Sequence, residues 1–258
     1  MAVVLEGGCR VTTMREGEPM VDGLLRVWKQ VGREAGAKAI SLRILEFAQG
    51  QSNGMCNTDC DEVLYVLEGS GTLTLDERAH EIAPETGVYI RPGAAFAVEN
   101  PNPEPIVIVS SRCPEPVPPA AEADARTMPA GRAAAPEVAP LVRLSDRKAL
   151  PTADRWYRVL VDEEVGSAQV TQFVGSIPPG RAPDHFHKYE EVLFILRGEG
   201  RMWAGESNTP IAAGSCVYLP NRQVHCVENT GKGELRLLGV FYPAGSPAVR
   251  YDADEADS

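Results

Sequence analysis

The sequence predicts an all-β protein with two similar halves, each folded as an antiparallel barrel or sandwich. Long helical patterns are few, while the 258 residues include 24 glycines and 21 prolines, which favours short strands joined by turns. Segments 38–47 and 168–177 alternate apolar and polar residues, as strands with one buried face do. One segment lies in each half of the chain, and the two halves repeat one another.

The repeat has a constant offset of half the chain length, which carries Glu62 to Glu191. The same offset carries the Val-Glu-Asn sequence at 98–100 to 227–229, with no insertion between these points. A unit of this length is too long for a solenoid repeat, so each half is expected to be a domain with its own core. The predicted domains are an N-terminal barrel at 1–112, a proline- and alanine-rich linker at 113–140, and a C-terminal barrel with an acidic tail at 141–258.

The expected strands follow one another in the same order in both halves. Each half has an alternating strand first and then a short apolar run that ends at a glycine, where a hairpin turn would fall. Further short strands follow in the C-terminal half. The apolar runs are 62–69 and 191–198, and the later strands are 215–220 and 225–231.

A formal net charge of −11 and a pI near 4.9 narrow the range of partners. Such an acidic surface repels phosphate backbones and anionic lipids, so neither nucleic acid nor a membrane is an expected partner. No stretch approaches the roughly 20 apolar residues that cross a bilayer, and the first residues do not resemble a signal peptide. The expected location is therefore cytoplasmic, where the six cysteines would be buried thiols rather than disulfides.

Three of the four histidines fall into one pattern in the C-terminal half. His185 and His187 are two apart, so a strand turns both to the same face, and Glu191 keeps that parity after a short turn. His225 begins a later strand. Three imidazoles and one carboxylate suit Fe, Mn, Ni, Co or Zn rather than Ca or Mg. We therefore predict one divalent transition metal per chain, with about two coordination positions left for substrate and water or dioxygen.

The N-terminal half lacks these histidines. The offset carries the four ligand positions back to Cys56, Thr58, Glu62 and Phe96. Phe96 cannot bind a metal and Thr58 is a poor ligand, which predicts a metal-free barrel kept for packing, dimerisation or a secondary pocket. A zinc site that uses Cys60 or a neighbouring aspartate of the same loop is the alternative.

Two stretches of the C-terminal half resemble the two motifs of the cupin superfamily. Residues 180–198 resemble the first: a glycine, His-x-His, three residues, a glutamate, six residues and a glycine. Residues 214–229 resemble the second, with a glycine, a proline, His225 and an asparagine in order. Two departures stand out: the first glycine is one residue closer to His185 than is usual, and Arg222 replaces a glycine of the second motif.

The repeat makes the whole chain resemble a bicupin. The resemblance implies two tandem cupin barrels of the jelly-roll, or double-stranded β-helix, type. It also implies that the metal lies at the mouth of the C-terminal barrel. The ligands implied are His185, His187, Glu191 and His225.

Cupins host oxygenases, decarboxylases, isomerases, hydrolases and binding modules. The resemblance favours an oxygenase that acts on a small oxygen-bearing molecule: an enol, a phenol, a keto acid or a hydroxy acid. The alternatives are a non-redox isomerase, decarboxylase or hydrolase, and a non-catalytic small-molecule-binding module. A homodimer is a further expectation, because pairing covers an open sheet edge, although a bicupin can mimic that dimer within one chain.

Five residues close to the ligands in sequence are candidate substrate contacts. Two are arginines, which can bind a carboxylate through two parallel hydrogen bonds. Three are aromatic residues that can form walls, although such residues are more often part of a core. The five are Arg201, Arg222, Tyr218, Trp203 and Tyr189. Beyond the ligands no general acid or base stands out, since Glu190 alternates with Glu191 and is expected outside the barrel.

Overall fold

A computed structural model describes residues 1–114, 139–249 and 251–252. It confirms the all-β fold: the helices in these residues are single 3-10 turns. None of them has the length and hydropathy that a helix needs to cross a membrane. The predicted linker at 113–140 lies almost wholly outside the described residues, and so does most of the acidic tail.

The first half of the chain contributes strands β1 to β13 and two 3-10 turns, at Glu6–Gly8 and Arg33–Ala35. The strands are β1 Val3–Val4, β2 Arg10–Thr13, β3 Met20–Asp22, β4 Leu25–Val31, β5 Leu42–Phe47, β6 Gly50–Gln51, β7 Met55–Cys56, β8 Asp61–Glu68, β9 Gly71–Leu75, β10 Arg78–Ile82, β11 Thr86–Ile90, β12 Ala95–Asn100 and β13 Ile106–Cys113.

The second half contributes β14 to β26 and the turns Leu144–Asp146 and Glu163–Val165. The repeat offset carries β8, β11 and β13 onto β20, β23 and β25 with unchanged bounds. The strands are β14 Leu141–Arg143, β15 Leu150–Thr152, β16 Arg155–Val161, β17 Thr171–Ile177, β18 Gly180–Arg181, β19 His185–Phe186, β20 Glu190–Arg197, β21 Glu199–Ala204, β22 Ser207–Ala212, β23 Ser215–Leu219, β24 His225–Asn229, β25 Leu235–Tyr242 and β26 Tyr251–Asp252.

Each half forms a barrel from one large and one small antiparallel sheet. In the first half the large sheet has the order β14-β11-β8-β13-β5-β4-β3, and the small sheet has β10-β9-β12-β6 with β7 also on β12. In the second half the orders are β1-β2-β23-β20-β25-β17-β16-β15 and β22-β21-β24-β19-β26, with β18 also on β24. Corresponding strands take corresponding places, which confirms two tandem jelly-roll barrels.

The two halves exchange a strand with each other. β2, near the start of the chain, pairs with β23 of the second half and places Arg10 opposite Tyr218. β14 pairs in turn with β11 of the first half and places Arg143 opposite Thr86. Each exchanged strand therefore covers an edge of the other barrel's large sheet, across the boundaries predicted at 112 and 141.

The large sheets pack back to back, so both of their faces are buried. On β20, Leu193 and Ile195 point into the second barrel, while Val192 and Phe194 join a core shared with first-half residues such as Tyr65. Because neither face meets water, the strand is a continuous apolar run rather than an alternating one. Each barrel also has an apolar interior of its own.

Close approach of two backbones requires a glycine at one repeated position. A Cβ added to Gly200 would lie 2.0 Å from the carbonyl oxygen of Glu228, and one added to Gly71 would lie 2.2 Å from that of Glu99. Because these neighbours are backbone atoms on the adjacent strand, no side-chain rotation can relieve the contact. The narrow spacing explains the glycine in both halves.

We expect Gly200→Ala to destabilise the protein by about 1–3 kcal/mol, because the added methyl group forces the backbones of β21 and β24 apart. The measurement is the midpoint of urea denaturation. Gly233→Ala is the control, since a Cβ there meets nothing within 4 Å, and its effect should stay within about 0.5 kcal/mol. Equal effects of the two substitutions would contradict the steric explanation.

Candidate metal centre

The barrel strands bring the predicted ligands together. β19 lies beside β24, with His185 directly opposite His225 in the ladder. Cβ atoms at such positions are about 4.5–5.5 Å apart, so the two imidazoles are neighbours. His187 follows β19 in the next turn, and Glu191 belongs to β20 in the large sheet. The large and small sheets of one barrel therefore both contribute ligands.

The four side chains converge on one point of the second barrel. The three imidazoles offer ring nitrogens that lie within 4.8 Å of one another. Glu191 Oε2 lies 3.7 Å from His187 Nε2 and 3.8 Å from His225 Nε2. Within 1–114, 139–249 and 251–252, no other group of three or more His, Cys, Asp or Glu side chains converges in this way.

A second contact orients each imidazole. The Nδ1 atoms of His185 and His225 donate to the backbone carbonyl two residues earlier, over 3.1 Å and 2.8 Å. Because a carbonyl only accepts, these Nδ1 atoms carry the proton and Nε2 keeps its lone pair for a metal. The Nδ1 of His187 lies 3.1 Å from the hydroxyl of Tyr189. The arrangement is that of metal-ligating histidines with their supporting hydrogen bonds.

Burial controls the charge of the cluster. It raises the pKa of Glu191 to about 8, because a desolvated carboxylate is costly. It also lowers the pKa of His225 well below the usual value, and the nearby His185 adds to that effect. His225 is therefore neutral at pH 7, the form in which an imidazole binds a metal. Three imidazole nitrogens and one carboxylate oxygen fit a divalent transition metal.

The cluster forms part of the wall of a cavity of about 100 Å³. Much of the remaining wall is apolar, with Phe173, Leu193 and Leu237 among its residues, while Arg155 and Ser176 add polar groups. A ligand of this cavity must be small, with a polar group near the imidazoles.

Comparison with known families identifies both barrels. The family model described as a cupin domain matches residues 43–111 and again residues 173–241. The two matches together span more than half of the chain, and each covers the central strands of one barrel. This chain is a bicupin of the cupin superfamily. The match confirms the resemblance of the sequence motifs and the repeat of one half of the chain in the other.

The bicupin also matches curated proteins over shorter stretches. It is 36% identical over 68 residues to the oxalate-binding protein of Thermotoga maritima, which is 25% of this chain and 55% of that protein. It is 31% identical over 86 residues to auxin-binding protein 1 of Arabidopsis thaliana, which is 30% of this chain and 43% of that protein. The chain spans about half the length of these relatives.

Among solved structures, the bicupin is similar to a deletion mutant of the oxalate decarboxylase OxdC of Bacillus subtilis. The TM-score is 0.72 over 90% of this chain and 76% of that chain, at 13% sequence identity. At this identity the likeness shows the fold alone. It agrees with two tandem barrels over nearly the whole bicupin.

Two of the predicted substrate contacts lie against the ligand-bearing loops. The ring of Tyr189 stacks on that of His187, with centroids 4.9 Å apart and planes 8° from parallel. The backbone N–H of Arg222 donates to the His187 carbonyl over 2.8 Å. Arg222 has φ +63°, the left-handed conformation that favours the glycine of the family motif. Neither residue lines the cavity, and both hold His187 in place.

The other three predicted contacts lie away from the cavity. Arg201 and Trp203 alternate with the buried Met202, so they face the outside of the small sheet, where each bonds a neighbouring side chain. The Tyr218 hydroxyl donates to Glu190 between the two barrels, over 2.8 Å. None of the three is part of the cavity wall. Their role in substrate binding stays a prediction, and the geometry does not support it.

Sequence reasoning missed Arg155, the arginine that the bicupin places in the cavity wall. It begins β16, its side chain is 15% exposed, and its Nε donates to Asp154 over 3.1 Å. It lies three strands before His185 in the chain, and no motif marks it. An arginine among aromatic residues at a strand start was the only signal, which is too weak to single it out.

The first barrel has an ion cluster where the second has its imidazoles. Glu62, the equivalent of Glu191, is fully buried and accepts hydrogen bonds from Arg43, from Ser110 over 2.6 Å and from Arg112 Nε over 3.1 Å. The arginines already neutralise the carboxylate that a metal would need. Phe96, at the position of His225, is part of the apolar interior. Both observations support a metal-free first barrel.

Proposed function

We propose that the second barrel is a metal-dependent oxygenase that acts on a small oxygen-bearing acid. The observation that carries the proposal is the convergence of three imidazoles and Glu191 on the wall of a cavity of about 100 Å³. A cavity of this size supports a small enol, keto acid or hydroxy acid better than a phenol. The metal would be one of Fe, Mn, Ni, Co or Zn.

The chain's own residues bind and orient the substrate. The metal held by His185, His187, Glu191 and His225 would polarise a substrate oxygen or bring dioxygen beside the substrate. Arg155 would bind the substrate carboxylate, because a guanidinium presents N–H groups in a fork that matches it. Apolar walls such as Phe173 and Leu237 would exclude water from the bound acid.

The composition of the wall favours chemistry at the metal over acid–base catalysis by side chains. Of the described residues in the wall, Glu191 is the single carboxylic acid, and it belongs to the proposed ligand set. Hydrolysis and sugar isomerisation commonly use a separate general acid or base. Oxidation or decarboxylation of a metal-bound acid relies less on such a group.

A non-redox decarboxylase is the second candidate, with a binding module as a third. The observation in favour of both is the 36% identity to a protein described as oxalate-binding, over 68 residues. A small dicarboxylate would suit a cavity that combines a metal site with one arginine. The three candidates share the binding site and differ in what happens to the acid.

The deciding experiment measures oxygen uptake and carbon dioxide release with full-length protein loaded with Fe(II) or Mn(II). Oxalate, pyruvate and glycolate serve as probes, with and without air. Substrate-dependent oxygen uptake would support the oxygenase. Carbon dioxide release that is unchanged without oxygen would replace it with a decarboxylase. Tight binding of an acid without turnover would leave a binding module.

We expect Arg155→Gln to reduce kcat/KM for a carboxylate substrate about 10- to 100-fold, chiefly through KM. A hydrogen bond to a charged group contributes about 1.5–3 kcal/mol, and its loss weakens binding accordingly. Arg201→Gln is the matched control, since Arg201 is an arginine of the same barrel that faces outward. If Arg201→Gln has the larger effect, the substrate does not bind in this cavity.

The remaining expectations rest on the sequence. A small-molecule substrate follows from the proposed site, whereas a cytoplasmic location and a homodimer stay predictions. The exchange of β2 and β14 covers large-sheet edges within one chain. A second copy is therefore not needed to cover those edges.

A further inference from the structure

A second cavity, of about 600 Å³, lies between the two barrels. It shares no wall residue with the cavity at the imidazoles, as far as the described residues show. Both halves contribute to it: residues 4–10 and 35–39 form one side, and residues 188–190, 218–221 and 242–243 form the other. We call this cavity the inter-barrel cleft. Its volume is in the range of sites for organic molecules.

Three cationic side chains line the cleft: Arg10, Lys38 and Lys188. Within the described part of the chain none of them has an acidic partner, and Arg10 Nε is buried without a hydrogen bond. Lys188 Nζ lies 4.1 Å from the ring centroid of Tyr251. In a chain with a net charge of −11, three cations without acidic partners around one cleft are a local excess of positive charge, which favours an anion there.

The one carboxylate in the wall offsets only one of the three cations, and its oxygens face hydrogen-bond donors of the protein. Glu190 accepts from the backbone N–H of Lys38 over 3.0 Å, from that of Ala39 over 2.6 Å, and from the Tyr218 hydroxyl over 2.8 Å. Only 7% of Glu190 is exposed. The two bonds from Lys38 and Ala39 join the halves, and none of the three uses a lysine or arginine head group.

The rest of the wall is apolar and aromatic, with Tyr189, Tyr242, Pro220 and Pro243. An inorganic ion would leave most of the volume and all of this surface unused. We propose that the inter-barrel cleft binds a small organic anion, a carboxylate on an aromatic or apolar body. Its carboxylate faces Lys38 and Arg10, and its body lies against the tyrosine and proline side chains.

The test is isothermal titration calorimetry of the full-length protein with benzoate, and with benzamide as the neutral match. Benzoate should bind and benzamide should bind at least about tenfold more weakly, since a charge-assisted hydrogen bond is worth about 1.4 kcal/mol or more. Lys38→Gln should weaken benzoate binding about tenfold as well. The Lys38 side chain is exposed, so that variant is expected to fold.

Two further variants test whether benzoate binds in the inter-barrel cleft rather than elsewhere on the protein. Lys148→Gln removes an exposed lysine that is not part of the wall and should leave the benzoate affinity unchanged. His225→Ala should also leave it unchanged, because His225 belongs to the other cavity. Absence of benzoate binding, equal binding of benzamide, or loss of binding in His225→Ala would each overturn the proposal. The proposed oxygenase is unaffected by either of the first two results.

Discussion

Replacing His225 with alanine is expected to reduce the metal content of the bicupin from about one ion per chain to a small fraction of that. His225 is 4% exposed, and its ring centroid lies 4.5 Å from that of His185 and 5.5 Å from that of His187. Loss of a group that only supports a ligand costs about 10- to 100-fold in metal affinity. Loss of the ligand itself should cost more than ~100-fold.

Elemental analysis after incubation with Mn(II) or Zn(II) measures this directly. Thermal denaturation gives a second readout: a metal at 100 times its dissociation constant stabilises the folded protein by about 2.7 kcal/mol, and the variant should lose that gain. His80→Ala removes the fourth histidine and Phe96→Leu changes the equivalent position of the first barrel, and both should keep the metal. Two ions per wild-type chain would instead point to a second site near Cys56.

Replacing Glu62 with glutamine is expected to destabilise the protein by about 3–5 kcal/mol, the usual cost of removing one partner from a buried ion pair. Glu62 is fully buried and forms ion pairs with Arg43 and Arg112. Both arginines stay charged after the substitution but lose their anionic partner. Glutamine has nearly the same shape, so the lost charge rather than a cavity causes the effect. The midpoint of guanidinium chloride denaturation at pH 7 measures it.

Glu46→Gln is a matched control, because Glu46 also pairs with two arginines, Arg15 and Arg26. Those arginine side chains are 43% and 60% exposed, so solvent screens the charges and the expected cost is at most about 1 kcal/mol. Should both substitutions cost the same, the buried cluster would not be what holds the first barrel together.

The destabilisation caused by Glu62→Gln should depend on pH. Burial by itself raises the pKa of Glu62, but Arg43 and Arg112 outweigh it and hold the pKa below the usual 4.5. A carboxyl group with a lowered pKa in the folded state contributes stability above its unfolded pKa and loses it as the pH falls through the folded value. The difference in the free energy of unfolding between wild type and Glu62→Gln should therefore have its full size at pH 7 and decrease below about pH 4.5.

The spacing of His185, His187 and Glu191 was enough to predict that these side chains act together, but parity along one strand is not what joins them. β19 ends at Phe186, and Glu191 lies on β20 of the other sheet. Placing His225 beside them needed the family motif, since four strands separate it from His187 in the chain. The structure brings all four together. Parity also indicated that Glu190 leaves the barrel interior. It could not show that Glu190 joins the two halves.

Nearness in sequence was a poor guide to the rest of the cavity. Arg201 and Trp203 follow the first three ligands closely in the chain yet face outward, whereas Arg155 precedes them by several strands and lines the cavity. Neighbouring strands in a jelly roll come from distant parts of the chain. The residue pattern within one strand therefore does not predict which side chains of other strands line the opposite wall of the barrel.

The sequence by itself determined the all-β class, the repeat of the two halves, the candidate metal ligands and the absence of their histidines from the first copy. All of these follow from residue type, local periodicity and motif. Only the tertiary structure decided that the halves exchange β2 and β14, that arginines from two strands neutralise Glu62, and that cations from both halves line one cleft. These contacts join residues far apart in the chain, and packing of whole sheets, rather than any local pattern, selects them.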